Sequence, residues 1–284
     1  MIENEEDWDI EIVPTTGLFE IDLRELWQYR DLILLFVKRD LTATYKQTVL
    51  GPIWFFIQPI MTTLMYVIIF GNIAQISTDG MPKILFYLSG ITVWNYFQEC
   101  LMKTSETFIA NQSLFGKVYF PRLAAPISIV ISGLLKFSIQ FGLFLIVWLY
   151  HLTQTESAIY PNRTILFLPF YILLMSGFGF SCGILISSLT TKYRDLRFLI
   201  QFGIQLLMYA TPVVYPLALV PEKYRWLILL NPVASIIEAF RYSFTGQGNL
   251  SIDQLIYSVV TITIGLFFSV LIFNKIEKNF IDTV

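Results

Sequence analysis

The chain has 284 residues, of which 55% are hydrophobic and 16% aromatic while only 14% are charged, and its mean hydropathy is +0.63. Soluble domains carry roughly 25% charged residues, so this composition excludes an ordinary water-soluble globule; the modest Gly and Cys counts and a net charge of −2 exclude collagen-like, disulfide-scaffold and disordered classes as well. Nucleic acid is excluded as a partner, since no basic stripe is interleaved with aromatics. The class that remains is an all-α integral membrane protein.

Residues 1–31 hold ten acids against Arg24 and Arg30, a balance of −8 that leaves +6 for the rest of the chain. Residues 1–19, with Glu3, Glu5, Glu6, Asp7, Asp9 and Glu11, lack the apolar core of a signal peptide and read as an acidic cytoplasmic tail. Over residues 20–48 an amphipathic pattern follows. Leu23, Leu26, Trp27, Ile33, Leu34, Val37, Leu41 and Tyr45 recur at helical spacing, with Arg24, Gln28, Asp31, Lys38, Arg39, Thr42 and Lys46 on the other side. Such a helix lies in the cytoplasmic headgroup layer.

A spanning helix needs about 20 apolar residues, and the apolar runs predict six spans, at about 53–73, 84–102, 123–150, 165–189, 198–215 and 254–274. The run at 226–237 contains Pro232 and is too short to cross. Residues 216–245 are therefore expected as short re-entrant helices in the outer leaflet before the last span, where protein or water must satisfy the backbone. With six spans, 13 Lys and Arg fall on the side of the termini and 5 on the other, which makes both termini cytoplasmic. Cys100 and Cys182 lie inside apolar stretches and read as packing thiols rather than a bridge.

Several chemistries are missing. There is no G-x-x-x-x-G-K-[ST] loop, Gly116-Lys117 being followed by Val118. A single histidine, His151, cannot build a His-based metal site or a catalytic triad. No metal site, no cofactor and no enzymatic activity are expected on this chain. Lys136 sits in mid-span, where an unpaired cation costs about 2.5–3.5 kcal/mol; Glu99 is its obvious partner, though nearer the cytoplasmic face. Trp54, Phe55, Gln58, Trp94, Tyr96, Phe97, Tyr209 and Tyr215 offer rings on which the C–H faces of sugars can stack, and equally suit packing or interfacial belts. In the loop 108–122, Ser113 to Lys117 can form a short helix before Tyr119, Phe120 and the helix-stopping Pro121. An exposed aromatic pair beside Lys117 and Arg122 suits a groove on a partner; surface anchoring by the same residues is the plainer account. Asn231-Pro232 precedes Glu238 and Arg241, which share a helical face.

Seven segments resemble one family. They are Tyr29-Arg30-Asp31-Leu32, Lys38-Arg39-Asp40-Leu41, Tyr45-Lys46-Gln47-Thr48-Val49-Leu50-Gly51, Lys117-Val118-Tyr119-Phe120-Pro121-Arg122, Tyr193-Arg194-Asp195, Thr211-Pro212-Val213-Val214-Tyr215-Pro216, and Asn231-Pro232 with Glu238 and Arg241. In order and at loop positions, they resemble the ABC type-2 polysaccharide-export permeases from about residue 20 to residue 284. The resemblance implies an all-α transmembrane domain over 49–284 and a homodimer bound to two copies of a cytoplasmic P-loop ATPase, which would hold ATP and Mg. Its cargo would be a polyprenyl-diphosphate-linked glycan of the O-antigen, capsule or teichoic acid kind, carried through an aromatic-lined channel in a bacterial plasma membrane.

It further implies that 108–122 is the coupling loop, acting through Phe115, Lys117, Tyr119, Phe120 and Arg122, and that Lys38, Arg39 and Lys46 meet the carrier diphosphate at the entrance. Attraction of these cations to anionic membrane lipids is the simpler alternative. Asn231, Glu238 and Arg241 would form an outer gate, a local helix-stabilising pair being the alternative. Lys136 departs from the family, in which an acid is commoner at that position. Outside this class, a membrane-bound glycan or lipid transferase would need a polar catalytic cluster, and only Glu99 and Lys136 could seed one. A non-catalytic scaffold would leave the coupling loop unexplained.

Overall fold

A computed structural model describes residues 23–46, 48–115, 117, 120–154, 159–190, 193, 195–248 and 250–283; the acidic tail expected over 1–19, and Tyr119, lie outside the described residues. The described residues are helical throughout, with no strand among them. The interface segment is two helices, α1 (Leu23–Gln28) and α2 (Arg30–Tyr45), separated at Tyr29. A 3-10 turn, Gly51–Ile53, leads into α3 (Trp54–Tyr66), which continues as a π-helix over Val67–Ile73. Then come α4 (Lys83–Ser105), the short α5 (Thr107–Ala110) and α6 (Gln112–Phe115), α7 (Ala124–Leu152), α8 (Leu168–Thr190) and α9 (Leu196–Ala210). The chain closes with α10 (Glu222–Leu229), α11 (Pro232–Thr245) and α12 (Ile252–Thr283).

Four helical stretches among the described residues are long and apolar enough to cross a membrane: Gly51–Ile73, Ala124–Leu152, Arg163–Thr190 and Ile252–Lys275. They fall on four of the six expected spans. The stretch expected at 84–102 is α4, long enough at 23 residues but carrying Asn95, Gln98 and Glu99. Those polar groups are tolerated because α4 is the centre of the bundle, packed against α3, α7, α8 and α11. The stretch expected at 198–215 is shorter than predicted. Helix α9 has 15 residues, about 22 Å at 1.5 Å per residue, against about 30 Å of hydrocarbon. Pro212 ends it by forcing Thr211 into an extended conformation (φ −104°, ψ 144°). The expected re-entrant region is two helices, α10 and α11, bent by 101° at Leu230–Asn231.

Helix α8 packs directly on α4 because two glycines face it. A Cβ at Gly179 would lie 2.7 Å from Cys100 Cβ, and one at Gly183 would lie 2.6 Å from Thr104 Cβ and 2.8 Å from the Leu101 carbonyl oxygen. In lipid, where apolar surface gains nothing by leaving the solvent, such close backbone approach and the dispersion it allows are what hold helices together. Cys100 and Cys182 are both free thiols, as expected.

Candidate functional site

Three groups of side chains occupy the positions that the sequence marks out. The first lies at the end of the bundle that the charge bias assigns to the cytoplasm. Ile33, Phe36, Phe108, Phe115, Phe120, Ala124, Ala125, Ile184 and Phe273 form one buried cluster. It joins α2, the loop helices α5 and α6, the start of α7, and α8 and α12. The sequence suggested an exposed aromatic pair, Tyr119 and Phe120, in the loop 108–122. Instead Phe115 and Phe120 are each only 6% exposed, and Phe120 meets Phe36 edge-to-face at 5.6 Å. The reason is that α2 does not float free on a lipid surface. It lays Ile33, Phe36 and Val37 onto α7 and the loop, leaving Leu34 and Leu35 59% and 61% exposed. Burying the loop aromatics therefore fastens the interface helix. Arg122 is buried with its guanidinium 5.7 Å from the Phe115 ring, whereas Lys117 remains exposed.

Of the entrance cations, Lys38 and Lys46 are exposed. Arg39 is engaged: it pairs with Asp40 at 2.9 Å, covers the Phe36 ring at 4.7 Å and donates to Asn111 Oδ1 at 3.3 Å. Asn111 itself is buried and donates from Nδ2 to the Thr107 carbonyl at 3.0 Å. The bond from Arg39 is a polar latch between the interface helix and the loop, and nothing in the spacing of the sequence signals Asn111.

The second group lines α3, α4 and α7. Lys136 and Glu99 form a direct ion pair, with the Phe55 ring 5.7 Å from Lys136 Nζ. One turn further, Asn95 Nδ2 donates to Gln140 Oε1 at 3.2 Å. The expected aromatic lining divides here. Trp54 and Gln58 are exposed, Phe55 is half-buried, Tyr209 is 52% exposed and Tyr215 is half-buried. Trp94, Tyr96 and Phe97 instead point into the bundle, at 1%, 4% and 0% exposure. Phe97 stacks on Phe178 at 5.4 Å and Tyr96 packs on Phe137 at 5.2 Å. They are core residues of the chain, because α4 is enclosed rather than peripheral.

The third group is at the re-entrant bend. Asn231 caps α11, its Oδ1 accepting from Val233 N at 3.1 Å and its Nδ2 donating to Thr211 Oγ1 at 2.8 Å. Glu238 and Arg241, which the family resemblance implied as an outer gate, are both buried. Arg241 is 1% exposed. Its guanidinium donates to the carbonyls of Pro212 at 2.6 Å, Val213 at 2.7 Å and Phe86 at 3.3 Å, to Ser89 Oγ at 3.3 Å and to Glu238 Oε1 at 3.4 Å. It also lies 3.8 Å from the Phe86 ring centroid. One side chain thus ties α4, α11 and the break after α9. Gly90 leaves it room, since a Cβ there would stand 2.5 Å from the Arg241 terminal nitrogen.

Among the described residues no group of three or more His, Cys, Asp or Glu is arranged to hold a metal ion. A family model described as an ABC-2 type transporter matches residues 31–245. The chain is 28% identical over 256 residues to an O-antigen export system permease protein of Klebsiella pneumoniae, covering 89% of this chain and 94% of that one. It is 25% identical over 264 residues to an O-antigen export system permease protein of Myxococcus xanthus, covering 92% and 98%. It is also 25% identical over 238 residues to a polysialic acid transport protein of Escherichia coli, covering 80% and 88%.

Proposed function

The chain belongs to the ABC-2 type transporter family, and on that premise we propose that it is the membrane subunit of an ATP-driven exporter that carries a lipid-linked, O-antigen-like polysaccharide across the bacterial plasma membrane. The observation that carries this reading is the near-complete coverage of O-antigen export permeases, 94% and 98% of their lengths. Family membership implies a separate ATPase partner, in keeping with the missing P-loop. The working unit would be a homodimer with two ATPase copies. Each chain would cross six times, with α4 and α9 joining the four long apolar stretches and both termini inside. Capsular polysaccharide is the second reading, favoured by the polysialic acid transporter among the relatives.

In this scheme Lys117 meets the ATPase, while Phe115, Phe120 and Arg122 pass its displacement into α2 through the Phe36 contact and the Arg39–Asn111 latch. Lys38 and Lys46 keep their ammonium groups free for the diphosphate of the carrier, a natural partner for cationic donors. Trp54, Phe55, Gln58, Tyr209 and Tyr215 are the members of the predicted lining that one chain leaves accessible. Rings spaced along a path hold a glycan weakly at many points and let it slide. Asn231 shapes the bend, and Glu238 with Arg241 anchors the re-entrant pair beside the outer opening.

The test is a strain in which this chain is deleted and the ATPase and glycosyltransferases are kept. Lipid-linked glycan should accumulate inside and vanish from the surface, and the purified chain should bring down the ATPase. Translocation or modification of a glycan by the purified chain reconstituted alone would sink the proposal.

A further inference from the structure

Between the π-helical end of the first span and the start of α4 lies an open cavity of about 440 Å3, lined by Gly71, Asn72, Gln75, Ile76, Ser77, Thr78 and Lys83. That volume is within the range of small-molecule sites. We propose that this cavity is a saccharide-binding site on the outer face, which engages a sugar unit through Asn72 and Gln75 and an acidic substituent on it through Lys83. The inference rests on the export reading above and on the orientation that goes with it.

Three observations carry it. The first is how the backbone ends the helix. Ala74 N donates to the Ile69 carbonyl and Ile76 N to the Phe70 carbonyl, both at 2.8 Å, so the last turn is wide and the chain leaves it through Gln75 in the left-handed region, φ 51°. Glycine is the usual residue at such a helix end, and a non-glycine residue held there carries backbone strain of the kind that collects at functional sites. The only other non-glycine residue with positive φ among the described residues is Asp79. Turn chemistry accounts for that one: Asp79-Gly80 are the two central left-handed residues of a tight turn closed by Met81 N to the Thr78 carbonyl at 3.1 Å. Gln75 is the left-handed residue that closes the wide helix end, a place glycine usually takes. Its side-chain amide lies in the cavity wall and makes no hydrogen bond among the described residues.

The second observation is the placement of Lys83. Its Nζ donates to Asn72 Oδ1 at 2.9 Å, which fixes the ammonium at the cavity wall with two protons left over. Gly71 gives its stem room, since a Cβ at residue 71 would come within 3.0 Å of Lys83 Cδ. The third is the balance of donors. With Asn72 Oδ1 used by Lys83 and the Thr78 hydroxyl donating to the Met81 carbonyl at 2.6 Å, the open N–H donors are Asn72 Nδ2, Gln75 Nε2 and Lys83 Nζ, with Gln75 Oε1 an open acceptor beside them. Sugars are rich in acceptor oxygens, and a carboxylate is the strongest partner for an ammonium. Ile76 supplies an apolar patch for a sugar C–H face.

Two sources could supply that sugar, the chain emerging from the exporter or a free glycan outside the cell. The test uses the full chain with its ATPase in nanodiscs. Hyaluronan tetrasaccharide serves as the acidic probe and maltotetraose as the neutral one, and both are followed by saturation-transfer NMR. Both should bind, the acidic probe about tenfold more tightly, as one charge-assisted hydrogen bond provides. Lys83→Gln should abolish that preference. Gln75→Gly should weaken both probes while the thermal midpoint holds or rises, because glycine accepts the left-handed conformation freely. Failure of both probes to bind the wild type, unchanged binding in the variants, or a lower midpoint in Gln75→Gly would overturn the proposal.

A Ser77→Cys chain in cells, labelled with a membrane-impermeant maleimide, separates the sources. Protection only in cells that make the polysaccharide assigns the site to the emerging chain, and protection only on adding saccharide outside assigns it to free glycan. Protection in neither overturns the site. If surface export proves independent of this chain while the probes bind, the export reading falls and the site stands. If export depends on the chain and neither binding nor protection is seen, the site alone falls.

Discussion

Arg241 offers the sharpest test of how the bundle is held together. Its guanidinium is shared among three backbone carbonyls, a serine hydroxyl and Glu238, with 0% of the side chain exposed. Arg241→Met keeps the length and removes the charge and the fork. It leaves the Glu238 carboxylate, 7% exposed, without its cation, and leaves the Pro212 and Val213 carbonyls without their donors. Breaking a buried ion pair by removing one member costs about 3–5 kcal/mol, which lowers the apparent thermal midpoint on the order of 10 °C. Adding Glu238→Gln removes the stranded charge and should recover part of the loss. The recovery stops short because the two carbonyls stay unpaired, at about 1–3 kcal/mol for each buried group. Glu238→Gln alone should be milder than Arg241→Met, since the carbonyls go on solvating the guanidinium. Arg241→Lys should fall between wild type and the Met variant, because an ammonium keeps a cation beside Glu238 but cannot span acceptors on three elements. The assay is the apparent melting midpoint in detergent or nanodiscs, scanned at one rate. An Arg241→Met midpoint within 2 °C of wild type, or a double variant less stable than the single one, would refute the reasoning.

Other sites give equally direct readouts. Gly183→Leu places a Cβ 2.6 Å from Thr104 Cβ, against about 3.5–4.0 Å for a relaxed contact, so α8 must move off α4 at about 1–3 kcal/mol; the yield of monodisperse protein should fall, whereas Gly203→Leu on α9, with nothing within 4 Å, should be harmless. Phe36→Ala and Phe120→Ala each open the buried cluster beneath α2, at about 3 kcal/mol, and surface polysaccharide should drop while the ATPase still co-purifies through Lys117. Lys136→Met and Glu99→Gln should each lower membrane-inserted yield, and the double variant should be better than their sum by about 1 kcal/mol; strict additivity would mean that the pair is not coupled.

Much of this arrangement was legible in the sequence because bilayer thickness and the cost of buried charge are strong constraints. The long apolar runs follow from length, whereas the expected span at 198–215 ran through Pro212, which ends α9 at Ala210, and the cap made by Asn231 was not read. The Lys136–Glu99 pair follows from what an unpaired cation costs in lipid. What could not be read was which way an aromatic faces. Trp54 and Trp94 look alike in sequence, yet one is 49% and the other 1% exposed, because α4 is enclosed by four neighbours and α3 is not. For the same reason Phe120 was expected against a partner protein or the membrane surface. Hydropathy shows that a loop aromatic wants a partner, but not that α2 supplies it within the chain. Gly179-x-x-x-Gly183 was a visible signal for the α4–α8 contact, whereas no local pattern announces the room that Gly90 leaves for Arg241.

These placements divide the chain into a body and two less tightly held helices. In α11 13 of 14 residues are buried and in α4 16 of 23, and Arg241 and the glycines of α8 bind those elements into one unit. Helix α9 buries only Ile204, and α3 only Pro59 and Thr63. A helix with few internal contacts shifts at little energetic cost, while one stapled at both ends moves only with its neighbours. The proposed lining residues that stay accessible, Trp54, Gln58 and Tyr209, are on α3 and α9. The elements best able to move are therefore those that present the exposed rings. The cluster beneath α2, which joins the loop to α8 and α12 through Phe108, Ile184 and Phe273, ties the proposed point of ATPase contact to the body instead. A displacement entering at the loop would then turn the body as a whole, and the path would widen where α3 and α9 yield.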